Sequence, residues 1–206
     1  MDYTTIVLAG GESKRFGAEK PFIDLCGSPM IHWVLRGIES PERIVVGNSE
    51  NREQMEELCP DDKVVVDIRS GLGPIGGMYT GLKYASFPTS LVVPCDTPFI
   101  SKELMLSLLR SLEGHQAIVP RWPNGYIESL HVALKTDATL QAVKGAIDSG
   151  KLSVQSAFDR LSDVEFVSME SLRKWDPELL SFFNLNTQED LKRAKRICEL
   201  THERND

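Results

Sequence analysis

Short apolar runs alternate with segments of helical periodicity along the first half of the chain, and this alternation limits the possible fold more than any other feature. A regular strand–helix alternation is typical of a mostly parallel sheet with helices on both faces, and it argues against an all-α or all-β fold. The apolar runs predict strands at 5–9, 43–46, 63–67, 90–94 and 117–119. The periodic segments predict helices at 30–39, 51–58, 75–85 and 102–112.

The second half of the chain is less regular, but it continues the α/β pattern. The run LVVPCD, which ends at Asp96, is nearly all apolar before its aspartate, as expected of a central strand that is buried on both faces. Thr187 and Asp190 have the spacing of a capping box at the start of a charged C-terminal helix. Further strands are predicted at 128–134 and 164–168, and further helices at 137–148, 154–161 and 188–200.

Composition and charge exclude several classes of function. The net charge of −7 argues against a nucleic-acid partner held by a basic surface, and no apolar stretch is long enough for a membrane helix. The start of the chain does not resemble a signal peptide. The four cysteines, at positions 26, 59, 95 and 198, form no CxxC pair, so reduced and mostly buried thiols in the cytoplasm are expected. The four histidines lack zinc-ligand spacing.

The motif LAGGESKRFGAEK, residues 8–20, follows the first predicted strand. Ligands of open α/β sheets bind beyond the carboxyl ends of the strands, and glycines let the backbone approach a phosphate closely. Arg15 can bind phosphate oxygens with two parallel hydrogen bonds, and Lys20 supplies a compact charge. The loop matches neither the Walker A motif nor the dinucleotide motif GxGxxG. It therefore predicts a phosphate site of another kind.

A second motif, PCDTPF, places Asp96 at the end of the most apolar strand. A carboxylate that faces a phosphate loop would be repelled unless a cation lies between them. Mg²⁺ takes oxygen ligands, often one or two carboxylates together with substrate phosphates. Asp96 is therefore the candidate Mg²⁺ ligand, and the alternative is an aspartate that caps the turn before Pro98.

Two weaker motifs leave their alternatives open. In FFNLNT, Asn184 and Asn186 are two residues apart, so on an extended segment both would project to one face and could support a metal, its waters or a substrate. Asparagines that form turns are the alternative. In the glycine-rich segment 71–82, a helix N-terminus could hold an anion, or the glycines could serve a flexible loop and close helix packing.

These motifs together resemble a known family. The pattern L-A-G-G-x-S-x-R-F-G-x-E-K is similar to the signature of nucleotidyltransferases with a Rossmann-like, glycosyltransferase-A type sheet. Adding GPIGGMYTGL, VVPCDTPF and FFNLNTQEDL, the chain resembles the molybdenum cofactor guanylyltransferases from Ile6 to Ala194. The resemblance implies an α/β fold of the nucleotide-diphospho-sugar transferase type, a three-layer α/β/α sandwich with a mostly parallel central sheet.

The resemblance also implies roles for matching residues. Backbone groups of Leu8, Ala9 and Gly10 would hold the guanine and ribose. The catalytic residues would be Arg15, Lys20 and Asp96, with Asp96 as metal ligand. The remaining nucleotide and support positions are Gly11 at the triphosphate, Asn48 and Asp67 at the nucleotide, and Asn184 and Asn186 near the catalytic centre.

The implied reaction transfers GMP from GTP to the phosphate of molybdopterin and releases pyrophosphate, with Mg²⁺ as cofactor. A phosphate nucleophile is already ionised near neutral pH, so no general base is required. Two alternatives have the same type of reaction but a different substrate. They are cytidylyl transfer to molybdopterin and guanylyl transfer to a cobamide precursor. A third alternative is a nucleotide-binding module without activity, against which the joint presence of Arg15, Lys20 and Asp96 weighs.

The acceptor is expected across the carboxyl edge of the sheet, between the 71–77 loop, with Gly76 and Gly77, and the 121–131 segment. Arg121 and Trp122 could meet a phosphate and a flat pterin ring, or Trp122 could simply pack a hairpin. Two departures from the family pattern lie at Phe16, where methionine is usual, and at 126–131, where YIESLH replaces a form closer to P-E-P-L-H.

We expect one domain over residues 1–206, because no repeat, low-complexity tract or linker interrupts the chain. About residues 1–115 would bind the nucleotide and about residues 116–206 the acceptor. The expected small-molecule partners are GTP and molybdopterin, with transient contacts to molybdenum cofactor enzymes or other cofactor biosynthesis proteins. Neither a nucleic acid nor a membrane is expected as a partner.

Overall fold

The computed structural model describes residues 2–10 and 19–202 of the chain. The strands are β1 (Thr4–Leu8), β2 (Asp24–Leu25), β3 (Ser28–Pro29), β4 (Glu42–Gly47), β5 (Lys63–Val66), β6 (Thr89–Pro94), β7 (Ala117–Arg121), β8 (Val132–Lys135) and β9 (Val164–Ser168). The α-helices are α1 (Met30–Arg36), α2 (Arg52–Leu58), α3 (Pro74–Tyr84), α4 (Lys102–Ser111), α5 (Thr136–Asp148), α6 (Val154–Phe158), α7 (Met169–Leu172) and α8 (Gln188–His202). None of the helices in these residues has the length and apolar character needed to cross a membrane.

Within the described residues, seven strands form one sheet in the order β5-β4-β1-β6-β8-β7-β9. Neighbouring strands are parallel except at β8, which pairs antiparallel with both β6 and β7. The strands β2 and β3 form a separate two-stranded hairpin. The carboxyl ends of β1, β4, β5, β6 and β7 therefore meet at one edge of the sheet, which we call the carboxyl edge.

Helices cover both faces of the sheet. Successive side chains of a strand point to opposite faces, so each face has its own buried cluster. One buried cluster includes Val7 and Leu91 and packs against α1 and α4, while the other includes Ile6 and Val92 and packs against α3 and α5. This arrangement confirms the three-layer α/β/α sandwich. Of the four cysteines, Cys59, Cys95 and Cys198 are buried and Cys26 is exposed. That agrees with the expectation of mostly buried thiols.

The first five predicted strands are confirmed, and two predictions in the second half are wrong at one end. The strand predicted at 128–134 begins only at Val132, and the helix predicted at 154–161 ends at Phe158. The capping box is confirmed, because the Asp190 amide donates to Thr187 Oγ1 at 3.1 Å and Asp190 Oδ2 accepts from the Thr187 amide at 2.8 Å. The hairpin β2–β3 and the short helix α7 were not predicted.

Candidate active site

Three predicted residues meet at the carboxyl edge. Asp96 follows β6, Lys20 begins a 3₁₀ turn that ends at Phe22, and Asn186 lies just before α8. Lys20 Nζ donates to Asp96 Oδ2 at 2.7 Å and to Asn186 Oδ1 at 2.5 Å. The side chains of Lys20 and Asp96 keep about a fifth of their surface exposed, at 20% and 18%. The structure therefore brings Lys20, Asp96 and Asn186 together in a partly exposed cluster at the carboxyl edge.

The segment that carries Asn186 is fixed to the strand end by its backbone. The Leu185 amide donates to the carbonyl oxygen of Asp96 at 2.8 Å, and the Leu185 side chain is fully buried. The Asn186 amide donates to Asp190 Oδ2 at 3.0 Å, which ties it to the start of α8. The side chain of Asn184 instead donates to the carbonyl oxygen of Phe182 at 3.2 Å. Only Asn186 of the pair therefore contacts Lys20.

Asp96 has an unsatisfied oxygen that suits a cation. Its Oδ2 accepts from Lys20, while its Oδ1 is fully buried and has no hydrogen-bond partner among the described residues. A buried carboxylate oxygen without a partner is costly, and it is the kind of atom that a metal ion satisfies. The described residues contain no group of three or more His, Cys, Asp or Glu side chains that could hold a metal by themselves. The donor set fits Mg²⁺ only if phosphates and water complete its coordination.

The end of β1 offers backbone groups to a ligand. The Leu8 carbonyl accepts from the Cys95 amide at 3.0 Å, and the Ala9 amide donates to the Val46 carbonyl at 2.8 Å, so both serve the sheet. Gly10 is exposed beyond them, and a Cβ atom there would lie 3.5 Å from the backbone of Gly47. The Leu8 carbonyl and the Ala9 amide are therefore engaged within the sheet, and Gly10 is the exposed residue of the three.

Asn48 and its neighbour Asn51 shape the turn after β4. Asn48 Oδ1 accepts from the amides of Glu50 and Asn51 at 2.8 and 2.9 Å, and its own amide donates to Asn51 Oδ1 at 2.9 Å. The buried Asn51 also donates from Nδ2 to Glu19 Oε2 at 2.5 Å. The side-chain oxygen and the backbone amide of Asn48 are thus both engaged by the turn.

Asp67 lies over the start of α3. Its Oδ1 accepts from Thr80 Oγ1 and from the Arg69 amide, both at 2.8 Å. Gly76 and Gly77 are buried nearby, where a Cβ atom on Gly76 would be 2.6 Å from the Arg69 carbonyl oxygen and one on Gly77 would be 3.2 Å from Leu8. Both glycines therefore permit close packing on the β1–β5 half of the sheet. The structure does not bring them together with Arg121 and Trp122.

Arg121 and Trp122 lie at the end of β7. The exposed Arg121 guanidinium lies 5.1 Å from the centre of the Phe166 ring. The half-buried Trp122 donates from Nε1 to Glu128 Oε1 at 2.6 Å and packs edge-on against Phe182. The Trp122 amide also donates to the Tyr126 carbonyl at 2.8 Å, as in the hairpin that the sequence left as an alternative. An open pocket of about 400 Å³ is lined by Arg121, Trp122, Pro123, Gly125, Phe166 and Ser168.

A buried polar network links this segment to the residue after Asp96, and sequence reasoning missed it. His131 is almost fully buried, its Nε2 lies 3.1 Å from Thr97 Oγ1, and its Nδ1 lies 3.9 Å from Glu128 Oε2. Burial lowers the pKa of His131 to about 3, against a smaller opposing effect of the Ser181 backbone, so the ring is neutral. Burial also raises the pKa of Glu128, the Trp122 hydrogen bond opposes that rise, and the nearby charge of Asp96 adds to it. The sequence signal was the 126–131 segment YIESLH, which was expected to face the acceptor but gave no indication of these contacts.

The predicted positions Gly11 and Arg15 lie outside the described residues, which omit 11–18.

The mostly parallel sheet, with a lysine, an aspartate and an asparagine gathered at its carboxyl edge, is typical of the nucleotidyltransferase class. Residues 5–164 match the family model of the MobA-like NTP transferase domain. The chain therefore belongs to the MobA-like NTP transferase family.

Relatives and solved structures agree with this family. The chain is 35% identical over 202 residues to a probable molybdenum cofactor guanylyltransferase of Pyrococcus furiosus, covering 94% of this chain and 96% of that protein. It is 30% identical over 200 residues to the molybdenum cofactor guanylyltransferase of Desulfosudis oleivorans, covering 95% and 96%. The crystal structure of molybdopterin-guanine dinucleotide biosynthesis protein A from Archaeoglobus fulgidus superposes with a TM-score of 0.81 at 34% identity, covering 95% of this chain and 98% of that one. A cytidylyltransferase structure from Thermus thermophilus, at 18% identity and a TM-score of 0.72, shares the fold.

Proposed function

We propose that this protein transfers GMP from GTP to the phosphate of molybdopterin and releases pyrophosphate. The observation that carries the proposal is the Lys20–Asp96–Asn186 cluster at the carboxyl edge, with the unpaired Oδ1 of Asp96 beside it. The names of the relatives support guanine as the base and molybdopterin as the acceptor.

In this reaction a terminal oxygen of the acceptor phosphate attacks the α-phosphorus of GTP. The new bond joins that oxygen to the α-phosphorus, and the bond between the α-phosphorus and the bridging oxygen to the β-phosphorus breaks. Pyrophosphate leaves with the electron pair of that bond. Both reactants are anions, so the tasks of the protein are to position them and to neutralise their charge. Lys20 is the described cation at the cluster, and on binding it would exchange the carboxylate of Asp96 for phosphate oxygens.

Mg²⁺ is the cofactor that fits this site. Asp96 would hold it through the oxygen that has no other partner, and the bound ion would supply positive charge to the phosphates during transfer. Asn186 would keep the Lys20 ammonium close to that position. Arg15 and Gly11 remain proposed phosphate contacts from the motif in which they stand.

We further propose that the two substrates bind at different parts of the carboxyl edge. The nucleotide would lie on the half formed by about residues 1–115, near Leu8–Gly10, Asn48 and Asp67, and the acceptor on the half formed by about residues 116–206. The reduced cysteines support a cytoplasmic location. Contacts with molybdenum cofactor enzymes would be transient.

The test is pyrophosphate release from each of the four NTPs with molybdopterin and Mg²⁺, together with product identification by mass. We expect GTP to be the preferred donor, and Asp96→Asn to lower kcat by about 10²–10³, the usual cost of losing a charge-stabilising group. Asp148→Asn, at an exposed position on α5, is the matched control and should retain wild-type turnover. Normal turnover of Asp96→Asn at saturating Mg²⁺ would rule out its role, and a preference for CTP would rule out guanylyl transfer.

A further inference from the structure

Glu128 is a buried carboxylate between the two halves of the site. The residue is 8% exposed and lies within electrostatic reach of Asp96, on the segment that precedes β8. Its backbone is held by two hydrogen bonds, because its amide donates to the Pro120 carbonyl at 2.9 Å and its carbonyl accepts from the His131 amide at 3.3 Å. Glutamate is rarely buried to this degree unless it is paired, so this side chain calls for a physical reason.

The two carboxylate oxygens of Glu128 have different surroundings. Oε1 accepts from Trp122 Nε1 at 2.6 Å, which fixes the orientation of the group. Oε2 has no hydrogen-bond partner among the described residues, and His131 Nδ1 lies 3.9 Å from it. The fully buried side-chain atoms that lack partners belong to Thr5, Asp96, His131 and Thr139. Oε2 is not among them, so it is a fixed acceptor that still reaches solvent.

The charges around Glu128 decide what this open oxygen can bind. Asp96 is a second acid, and His131 is neutral above about pH 3 because of its lowered pKa. No described lysine or arginine forms an ion pair with Glu128. A phosphate placed here would be repelled by a like charge, whereas an N–H donor would make a charge-assisted hydrogen bond of the stronger kind.

We propose that Glu128 Oε2 accepts a hydrogen bond from a ring N–H or amino group of the acceptor, and that Glu128 thereby selects a flat nitrogen heterocycle as the acceptor's distal part. This inference rests on the proposed function and adds the direction in which the acceptor binds. The acceptor phosphate points towards Lys20 and Asp96, and its ring lies towards Trp122. A site built for a donor rejects an acceptor without one, because the buried carboxylate is then left unpaired.

Replacing Glu128 by glutamine separates this role from a purely structural one. A carboxylate can accept from the indole with one oxygen and from the ligand with the other. Glutamine has nearly the same shape but a single oxygen, so it can keep the bond to Trp122 or offer an acceptor to the ring, but not both. If Glu128 served only to hold Trp122, glutamine would replace it without loss.

We expect Glu128→Gln to raise the acceptor KM about 10–100-fold, the usual effect of losing a hydrogen bond to a charged group, while the GTP KM stays within twofold of wild type. In the Trp122→Phe background the indole N–H is absent, so the glutamine oxygen is available to the ring. The increase in acceptor KM caused by Glu128→Gln should be several-fold smaller there. Circular dichroism and the thermal midpoint of each variant establish that it is folded.

Equilibrium binding of unsubstituted pterin, followed by quenching of tryptophan fluorescence, gives a measurement that does not depend on turnover. Wild type should bind pterin at least tenfold more tightly than Glu128→Gln. Equal pterin affinity and an unchanged acceptor KM would overturn the inference, as would equal losses in the GTP and acceptor KM. If wild type binds pterin through Glu128 but transfers no nucleotide, the proposed function fails and this inference stands.

Discussion

At the scale of single residues, the site depends on one lysine shared between two oxygen acceptors. Lys20 neutralises Asp96 and is also held by Asn186, which belongs to a segment more than 160 positions later in the chain. Both side chains are only partly exposed, at 20% and 18%, so the surface that a ligand can reach is limited to this opening. When a nucleotide binds, phosphate oxygens would replace the carboxylate of Asp96 as partners of the Lys20 ammonium.

His131 should make the protein sensitive to acid. Its pKa is lowered by burial to about 3 from an unfolded value near 6.5. Between these values the unfolded chain binds a proton that the native chain does not, so the free energy of unfolding falls as pH decreases from about 6.5, by up to about 1.4 kcal/mol per pH unit from this residue. Glu128, with its raised pKa, acts in the opposite direction over the acid range.

The measurement is urea unfolding between pH 7.5 and 5 of wild type, His131→Gln and a control, His115→Gln, at a histidine whose side chain is 33% exposed. His131→Gln should be less stable at pH 7.5. The slope of its free energy of unfolding against pH should be smaller than that of wild type by the amount that one proton contributes. The control should keep the wild-type slope. An unchanged slope in His131→Gln would mean that the buried ring is not the source of the acid sensitivity.

Among the site residues, those in compact motifs were predictable and those defined by contacts between distant segments were not. Lys20 and Asp96 follow strand ends, and parallel strands bring such ends to one edge. Asn51 belongs to no motif, and Glu128 lies in the 126–131 segment, which departs from the family pattern. Their importance comes from partners at Trp122 and Glu19, and from burial that depends on the three-dimensional path of the chain.

At the scale of elements, the position of α3 on β1 depends on a small residue. Gly81 lies on the face of α3 that packs against the sheet, and a Cβ atom there would be 2.2 Å from Cγ2 of the fully buried Ile6. Both atoms belong to packed elements whose backbones are held by other contacts. Any side chain at position 81 must therefore push the helix away from the strand that ends in the nucleotide-binding motif.

Gly81→Ala should destabilise the protein by about 1–3 kcal/mol, the usual cost of overpacking a core. Gly145→Ala in α5 is the matched control, because its Cβ atom would meet only the flexible Arg160 side chain at 3.3 Å. That substitution should be neutral or stabilising by up to about 1 kcal/mol, since alanine is the better helix former. Chemical unfolding of both variants tests this, and similar effects at the two glycines would contradict the steric explanation.

The elements that sequence periodicity located well are those with a buried apolar face. It placed the start of β8 at residue 128 instead of Val132, because the His131 amide donates back to the Glu128 carbonyl in a turn that precedes the strand. The hairpin β2–β3 has only two residues in each strand, too few for a period to be recognised. Short elements are defined by tertiary contacts, and local pattern carries little of that information.

At the scale of the whole molecule, an acidic protein must bind polyanions. The net charge is −7, so long-range electrostatics oppose the approach of GTP, and binding depends on local groups and a divalent cation. The described part of the site supplies one lysine and an aspartate with an unpaired oxygen. Nucleotide affinity should therefore depend strongly on Mg²⁺, and base selectivity on the hydrogen-bonding groups beside Leu8–Gly10.

We expect GTP with Mg²⁺ to raise the thermal midpoint more than ATP, CTP or UTP with Mg²⁺. A ligand that binds only the native state at a hundredfold excess over Kd contributes about 2.7 kcal/mol. For a chain of this length that corresponds to a shift of roughly 5–11 °C, because each kcal/mol raises the midpoint by about 2–4 °C. Differential scanning fluorimetry with each nucleotide measures the shift, and addition of EDTA should remove most of it.

Asp96→Asn should show the reduced GTP shift even when Mg²⁺ is present, since the anchoring carboxylate is gone, whereas Asp148→Asn should match wild type. Equal shifts with all four nucleotides would place base selection outside the Leu8–Gly10 backbone, and a shift that survives EDTA would mean that Lys20 and its neighbours bind the triphosphate without a metal.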